Sequence, residues 1–376
     1  MGLPGFFSPR SGQGWPAARI GAAVVALALC VTGCLAARPF DEERWREQAE
    51  GARVEDLYAP NRDASGRFFN PWLPQEKSGW DFWRWKLSRR AAVAEAAEGY
   101  SGGAGPAPVP NDGAYLGDPS QPASLTHVGH ATFVLHWGGP VIVTDPFFSN
   151  RAAIVRRLAP PAFGPEAIPD GAVAIVSHNH YDHLDAESVA ALGSGATFLC
   201  PTGLGAFLRE KGAERVRELG WWEAAEVGGS RFTCLPAQHW SRRLGQGRNE
   251  TLWSSWLLER DGRRVYFGAD SGYFVGYREL GRRYPGIDVA LLPIGAYLPR
   301  WFMHYAHMDI PEVLRAFDDL GARRLVPTQW GVLPLGDEPP SWPAVELRRA
   351  AASRPDLADR VVILPVGGRL LLDGGG

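Results

Sequence analysis

An excess of charge of either sign is missing from this sequence: 39 Lys and Arg stand against 41 Asp and Glu in 376 residues. A near-neutral chain offers no electrostatic ground for a nucleic-acid partner, and none is expected. Long hydrophobic runs are missing too. The apolar stretch from Ile20 to Val31 has 12 residues, short of the ~20 that a helix needs to cross a bilayer. Acidic side chains are absent from residues 1–40, and Asp41 is the first. Cysteine is scarce, with four in all. Two fall in the acid-free segment; the others are Cys200 and Cys234. Two cysteines alone say nothing about geometry, so a disulfide and two buried free thiols both stay open.

What is present at the N-terminus is a targeting pattern. Arg10 and Arg19 precede the short apolar run, which is the layout of a secretory signal. The following Val31-Thr32-Gly33-Cys34 resembles the bacterial lipoprotein cleavage box. Residues 1–33 are therefore expected to be a lipoprotein-type signal peptide. Lipidated Cys34 would then tie the chain to a membrane on the periplasmic side of a bacterial envelope. Each buried acyl CH₂ contributes roughly 0.8 kcal/mol to such a tether. An ordinary signal peptide with Cys34 incidental is the alternative. Residues 34–66 read as a polar linker with a short helix around Asp41–Ala52. Residues 67–122 read as an N-terminal extension packed on the following domain. Within it 80–99 looks helical, and the Gly/Pro/Asp-rich 101–122 is loop.

From Ala123 the pattern changes to short apolar runs separated by turns. Examples are Ser124–Val128, Thr132–Trp137, Val173–Ser177, Arg263–Phe267 and Val289–Leu292. Several are continuous and β-branched, as strands covered on both faces are. Helical patterns lie between them at 186–192, 204–210 and 311–320. The last is opened by an Asp309 cap and Pro311. Residues 123–376 are expected to form one α/β domain, with two sheets sandwiched between helices. No internal repeat is visible.

The densest chemistry is Ser177-His178-Asn179-His180-Tyr181-Asp182-His183, directly after the strand-like Val173–Val176. Three imidazoles and a carboxylate within six residues are suitable ligands for Zn²⁺. His178 and His180 alternate and can face one ion; Asp182 and His183 can reach a second a few Å away. His239 follows the run Phe232–Leu235, and Asp270 follows Arg264–Phe267. A carboxylate at 270 can bridge two ions. Asp145 and His130 lie near strand ends and are candidates for fixing the ligand histidines.

Ligand types, order and strand-end placement together resemble the metallo-β-lactamase superfamily. Within it the chain is most similar to N-acylphosphatidylethanolamine-hydrolysing phospholipase D and its bacterial relatives. The supporting stretches include Phe69-Asn70-Pro71-Trp72, Gly129-His130-Ala131-Thr132, Pro236-Ala237-Gln238-His239-Trp240 and Gln329-Trp330-Gly331. The resemblance implies the metallo-β-lactamase αβ/βα sandwich, two mixed β-sheets flanked by helices. It implies a first zinc on His178, His180 and His239, a second on Asp182 and His183, and Asp270 between them. The family's last ligand is a histidine where this chain has Gln329, a poorer ligand. The second zinc is thus expected to be weak, replaced or absent unless His304 or His307 compensates. The implied chemistry is zinc-dependent hydrolysis of a phosphodiester bond in an N-acylated phospholipid, with Asp182 as the catalytic base. His130, Asp145 and His307 would support ligands or substrate. The aromatic run of Phe68, Phe69, Trp72, Trp80, Phe82, Trp83 and Trp85 would line a lipid entrance or pack on the domain. Another hydrolase of the fold (a lactonase or soluble phosphodiesterase) and a weakly catalytic metal- or lipid-binding lipoprotein are the alternatives.

Overall fold

In the computed structural model, residues 40–75, 79–87 and 107–372 are described. The expected signal segment and Cys34 lie outside the described residues. So does 88–99 of the stretch read as helical, whose described part is the helix Gly79–Leu87. That helix belongs to a unit separate from Phe40–Lys77 and Arg90–Gly376. Within it Phe82 meets Trp83 and Trp85 edge-on, at 5.6 and 6.0 Å.

The larger unit is built on two mixed sheets. The first has seven strands: Arg369–Leu371 (β15), Ser124–Gly129 (β1), Thr132–His136 (β2), Ile142–Thr144 (β3), Val173–Ile175 (β6), Thr197–Pro201 (β7) and Arg215–Leu219 (β8). Its β15-β1-β2-β3 half is antiparallel and its β3-β6-β7-β8 half parallel. The second sheet runs Arg324–Thr328 (β14), Val289–Pro293 (β13), Arg263–Phe267 (β12), Ser255–Arg260 (β11), Ser230–Leu235 (β10) and Ala224–Val227 (β9). A small hairpin, Arg151–Ala152 (β4) with Val155–Arg156 (β5), stands apart.

The central strands are buried on both faces, and their residues alternate between two cores as the period-two pleat requires. Val265, Phe267, Val289 and Leu291 face the first sheet, where they meet Leu125, Phe133, Val173 and Ile175. Tyr266, Ala290 and Leu292 face outward onto helices Gly276–Arg283 (α5), Ile310–Leu320 (α7) and Trp342–Ala352 (α8). On the far side Val143, Ala174 and Phe198 pack under Ala186–Leu192 (α3) and Gly205–Glu210 (α4). Helices cover both outer faces, so the expected αβ/βα sandwich is the fold. Burying each Val, Leu or Phe side chain contributes about 1.5–3 kcal/mol.

Several expectations need correction. β8 and β9 escaped the sequence reading because they are edge strands with polar, partly exposed faces. Val361–Pro365 is another short apolar run of strand-like pattern in the sequence, yet it is no ladder strand; it touches β14 through one isolated bridge at Leu325. The short α5 was missed because Gly276 and Gly281 interrupt its pattern. Gly281 is needed there, since a Cβ would strike the Asp319 carbonyl at 2.2 Å. Cys200 and Cys234 are free and buried, facing different cores.

The described part of the segment read as a linker is no free spacer. Helix Glu42–Gly51 (α1), capped by Asp41, buries Trp45 and Ala49 in the outer core, and Leu57 follows. Trp45 Nε1 donates to Glu312 at 3.0 Å, and Arg300 joins Glu312 (3.0 Å) to Glu42 (2.8 Å). The surface charges of α1 hid this anchored face. Nor do Phe68 and Trp72 line an entrance: both are buried, Trp72 stacked on Phe274 at 5.0 Å. Trp45→Ala should cost about 3–5 kcal/mol in denaturant unfolding, and a loss below ~1 kcal/mol would show that α1 is not part of this core.

Candidate metal centre

The site is assembled at the C-terminal ends of strands, where backbone turns sharply. Asp145 follows β3, Asp270 follows β12, Gln329 follows β14, and His130 turns β1 into β2. Four residues in these turns have positive φ without being glycine: His130 (59°), Asp145 (33°), Ala269 (51°) and Gln329 (63°). Such conformations cost of order 1–3 kcal/mol each and persist where the surrounding structure imposes them.

After β6 the chain makes a tight loop. Leu184 N–H donates to His180 O at 2.8 Å, which brings Asp182 and His183 round beside His178. Asp185 then caps α3. Two groups of donor atoms result. In the first, single atoms of His178, His180, His239 and Asp270 all lie within 4.8 Å of one another. His180 Nδ1 is 2.9 Å from His178 Nε2 and 3.2 Å from His239 Nε2. Asp270 Oδ2 is 3.4 Å from His239 Nε2 and 3.7 Å from His178 Nε2. In the second are His130, Asp182 and His183. Asp270 spans both, since its Oδ1 is 3.1 Å from His183 Nε2.

The donors fit a cation. Ligands at 2.0–2.1 Å around a tetrahedral ion lie about 3.3 Å apart, close to the spacings in the first group. The outer nitrogens of three of the imidazoles are already engaged. His183 Nδ1 donates to Asp145 Oδ2 at 2.6 Å, and His178 Nδ1 to Ser177 Oγ at 2.9 Å. His239 Nδ1 donates to Ala306 O at 3.3 Å. The Nε2 atoms of His178 and His239 are thereby left as lone pairs aimed inward, and His183 Nε2 faces Asp182 and Asp270. Ser177 passes its own proton to Asp145 (2.6 Å), and its N–H also donates there (2.6 Å). His183 Nε2 and Asp270 Oδ1, though buried, have no hydrogen-bond partner among the described residues.

Electrostatics agree. Burial, reinforced by the neighbouring imidazoles, holds His178 well below the usual histidine range. Burial pushes His180 down to about 4 and holds His239 well below normal, Asp270 opposing it in both. These rings are neutral, the form that binds metal. Burial disfavours charge on His183, but Asp270, Asp182 and Asp145 outweigh it and hold that ring well above normal. Burial alone would raise Asp182 and Asp270; His183 leads the groups that keep both well below the usual carboxylate range.

The structure thus brings together His178, His180, Asp182, His183, His239 and Asp270, with Asp145 behind them. His130 also enters, its Nε2 2.9 Å from Asp182 Oδ2. Gln329 lies next to it, donating its N–H to His130 O at 3.1 Å. His307 sits beside His239, with ring centroids 5.6 Å apart, on the first group's side. His304 packs against Phe40 and Trp45 and is in neither group. Sequence reasoning missed Ser177 and Asn179. Asn179 accepts from Arg242 N (2.8 Å) and donates to Gln246 (2.8 Å), pinning the loop after β10. Asn70 stands in the sequence only as part of a motif; it donates to His239 O (3.1 Å) and holds that residue's backbone from behind. Neither role has a signal short of the fold itself.

Comparison with known proteins agrees with this geometry. The profile of the β-lactamase superfamily domain matches residues 141–330, just over half of the 376. An uncharacterized protein of Mycobacterium tuberculosis is 38% identical over 293 residues, 75% of this chain and 75% of that protein. N-acyl-phosphatidylethanolamine-hydrolyzing phospholipase D 1 of Caenorhabditis elegans is 36% identical over 253 residues, 62% of this chain and 71% of that one. Among solved structures, isothiocyanate hydrolase from Delia radicum gut bacteria is similar in fold. Its TM-score is 0.53 at 19% identity, covering 66% of this chain and 98% of that one. The chain therefore belongs to the β-lactamase superfamily of metal-dependent hydrolases, with relatives of the N-acylphosphatidylethanolamine-hydrolysing phospholipase D type.

Proposed function

We propose that this hydrolase is a zinc-dependent phosphodiesterase that cleaves N-acylphosphatidylethanolamine-like phospholipids to N-acylethanolamine and phosphatidate. The observation that carries the hydrolytic part is the pair of donor groups joined by the two oxygens of Asp270. These groups would hold divalent cations, which would supply water with its pKa lowered to roughly 7 and neutralise charge on phosphoryl oxygens. The chain's own groups supply the rest. Asp182 is ionised, 13% exposed, and the most open of the site carboxylates. It orients the attacking water and accepts its proton. His130, donating to Asp182 or sharing its ion, fixes the direction of that carboxylate.

The lipid part of the reading is supported by the similarity to the worm phospholipase and by two loops beside the site. Ile154 (89% exposed) and Leu158 (61%) lie at the β4–β5 hairpin, and Leu244 (92%) tips the loop after His239. Tyr181, next to His180, ties them together. Its ring packs on the cluster that includes Ala152 and Val155, and its hydroxyl accepts from Leu244 N at 3.2 Å. Exposed Arg151, Arg156 and Arg242 stand on the same loops. Apolar tips among cations suit a surface of anionic phospholipid. A tether at Cys34 would keep the enzyme at such a surface in the bacterial envelope. Among the described residues no helix is long and apolar enough to cross a membrane.

Purified protein should carry zinc, and His178→Ala should cut hydrolysis by about 10³-fold or more, ~4 kcal/mol of transition-state stabilisation. Full activity in that variant, or in chelator-treated metal-free protein, would refute the metal mechanism. N-acylphosphatidylethanolamine in vesicles should be hydrolysed far faster than a soluble diester or a lactone. The double change Ile154→Ser and Leu244→Ser should lower the vesicle rate about 10-fold, consistent with losing ~1.4 kcal/mol of apolar contact, and leave the soluble-diester rate unchanged. A preference for the lactone, or equal losses on both diesters, would sink the lipid reading.

A further inference from the structure

We propose that His130 is a direct ligand of the second cation, completing a four-atom set with Asp182, His183 and Asp270. The inference rests on the metal-centre reading above and goes beyond it, since the sequence places His130 only behind the ligands.

Distances carry the argument. His130 Nε2 is 2.9 Å from Asp182 Oδ2. His183 Nε2 is 3.2 Å from that same oxygen and 3.1 Å from Asp270 Oδ1. Each spacing is close to the edge of about 3.3 Å expected around a tetrahedral ion with ligands at 2.0–2.1 Å. Two imidazole nitrogens and two carboxylate oxygens form a donor set of the kind zinc takes. Burial strengthens the case. His183 Nε2 and Asp270 Oδ1 approach within 3.1 Å, yet neither has a hydrogen-bond partner among the described residues. Close approach without alignment is what donors aimed at a common point produce. His183 cannot turn away, because Asp145 holds its other nitrogen.

His130 is placed here at a cost. It occupies the left-handed region at φ 59°, directly after Gly129 at the β-bulge of β1. Its carbonyl receives the N–H of Gln329, itself at φ 63°. The two turns are thus locked to each other. Only one of them delivers an imidazole to the second group. The side-chain amide at 329 is a weak ligand, and its Nε2 is buried with no hydrogen-bond partner among the described residues. With His130 in the set, the centre does not depend on residue 329.

Cobalt substitution of the full chain tests this without reference to activity. The unmodified protein should take up two cobalt ions. His130→Ala should keep one, bound by His178, His180 and His239, and lose the second by more than the ~10–100-fold typical of an outer partner. The retained ion reports an intact fold. Gln329→Ala should still bind two. His130→Cys should bind two and add a thiolate-to-cobalt charge-transfer band, which a residue merely hydrogen-bonded to Asp182 cannot give. Failure of the unmodified chain to bind any cobalt would overturn the metal centre as a whole. Uptake of a single ion by the unmodified chain, two ions at unchanged affinity in His130→Ala, or no new band in His130→Cys would overturn the role of His130 alone.

Discussion

One buried carboxylate sets the chemistry of the site. Asp145 is fully enclosed, and it receives hydrogen bonds from Ser177 N, Ser177 Oγ and His183 Nδ1. Through His183 it governs the second donor group directly; through Ser177 and His178 Nδ1 it governs the first. Enclosing an ionised carboxylate is expensive unless its lone pairs are used, and here both oxygens are engaged. Burial raises the pKa of Asp145, with His183 and Ser177 opposing that rise. The same hydrogen bonds that offset its burial orient two imidazoles in separate groups.

That arrangement depends on the sandwich. Strands buried on both faces cannot shift register without moving a row of core side chains. Their C-terminal ends are therefore fixed points, and the candidate ligands stand in the turns and loops that follow them. Four of the nine non-glycine residues with positive φ among the described residues lie there as well. His130, Asp145, Ala269 and Gln329 adopt left-handed backbone that the rigid strands on either side impose. Stability from the two cores offsets local strain at the one edge where donors must converge.

Much of this was legible in the sequence, because residues able to bind metal are rare and here they are crowded. His178, His180, Asp182 and His183 declare themselves by density, and His239 and Asp270 by following apolar runs. The sandwich was legible where strands are buried, and illegible at β8 and β9, where edge positions call for polar residues. The aromatic run misled in part, since Phe68 and Trp72 serve the interior. Contacts between residues distant in sequence left no mark on composition. The seat of α1 on Glu312 and Arg300, the hold of Asn70 on His239, and the pairing of His130 with Asp182 all depend on residues that meet only after folding.

The two cysteines of the folded body bear on where such an enzyme can work. Cys200 and Cys234 point into different hydrophobic layers, and burial drives both thiols far above their ordinary ionisation range. A protonated, enclosed sulfur neither attacks nor competes for a cation. Among the described residues the candidate centre is all imidazole and carboxylate, with no thiolate in either donor group. Oxidation or reduction of these two thiols would therefore leave its donor atoms unchanged.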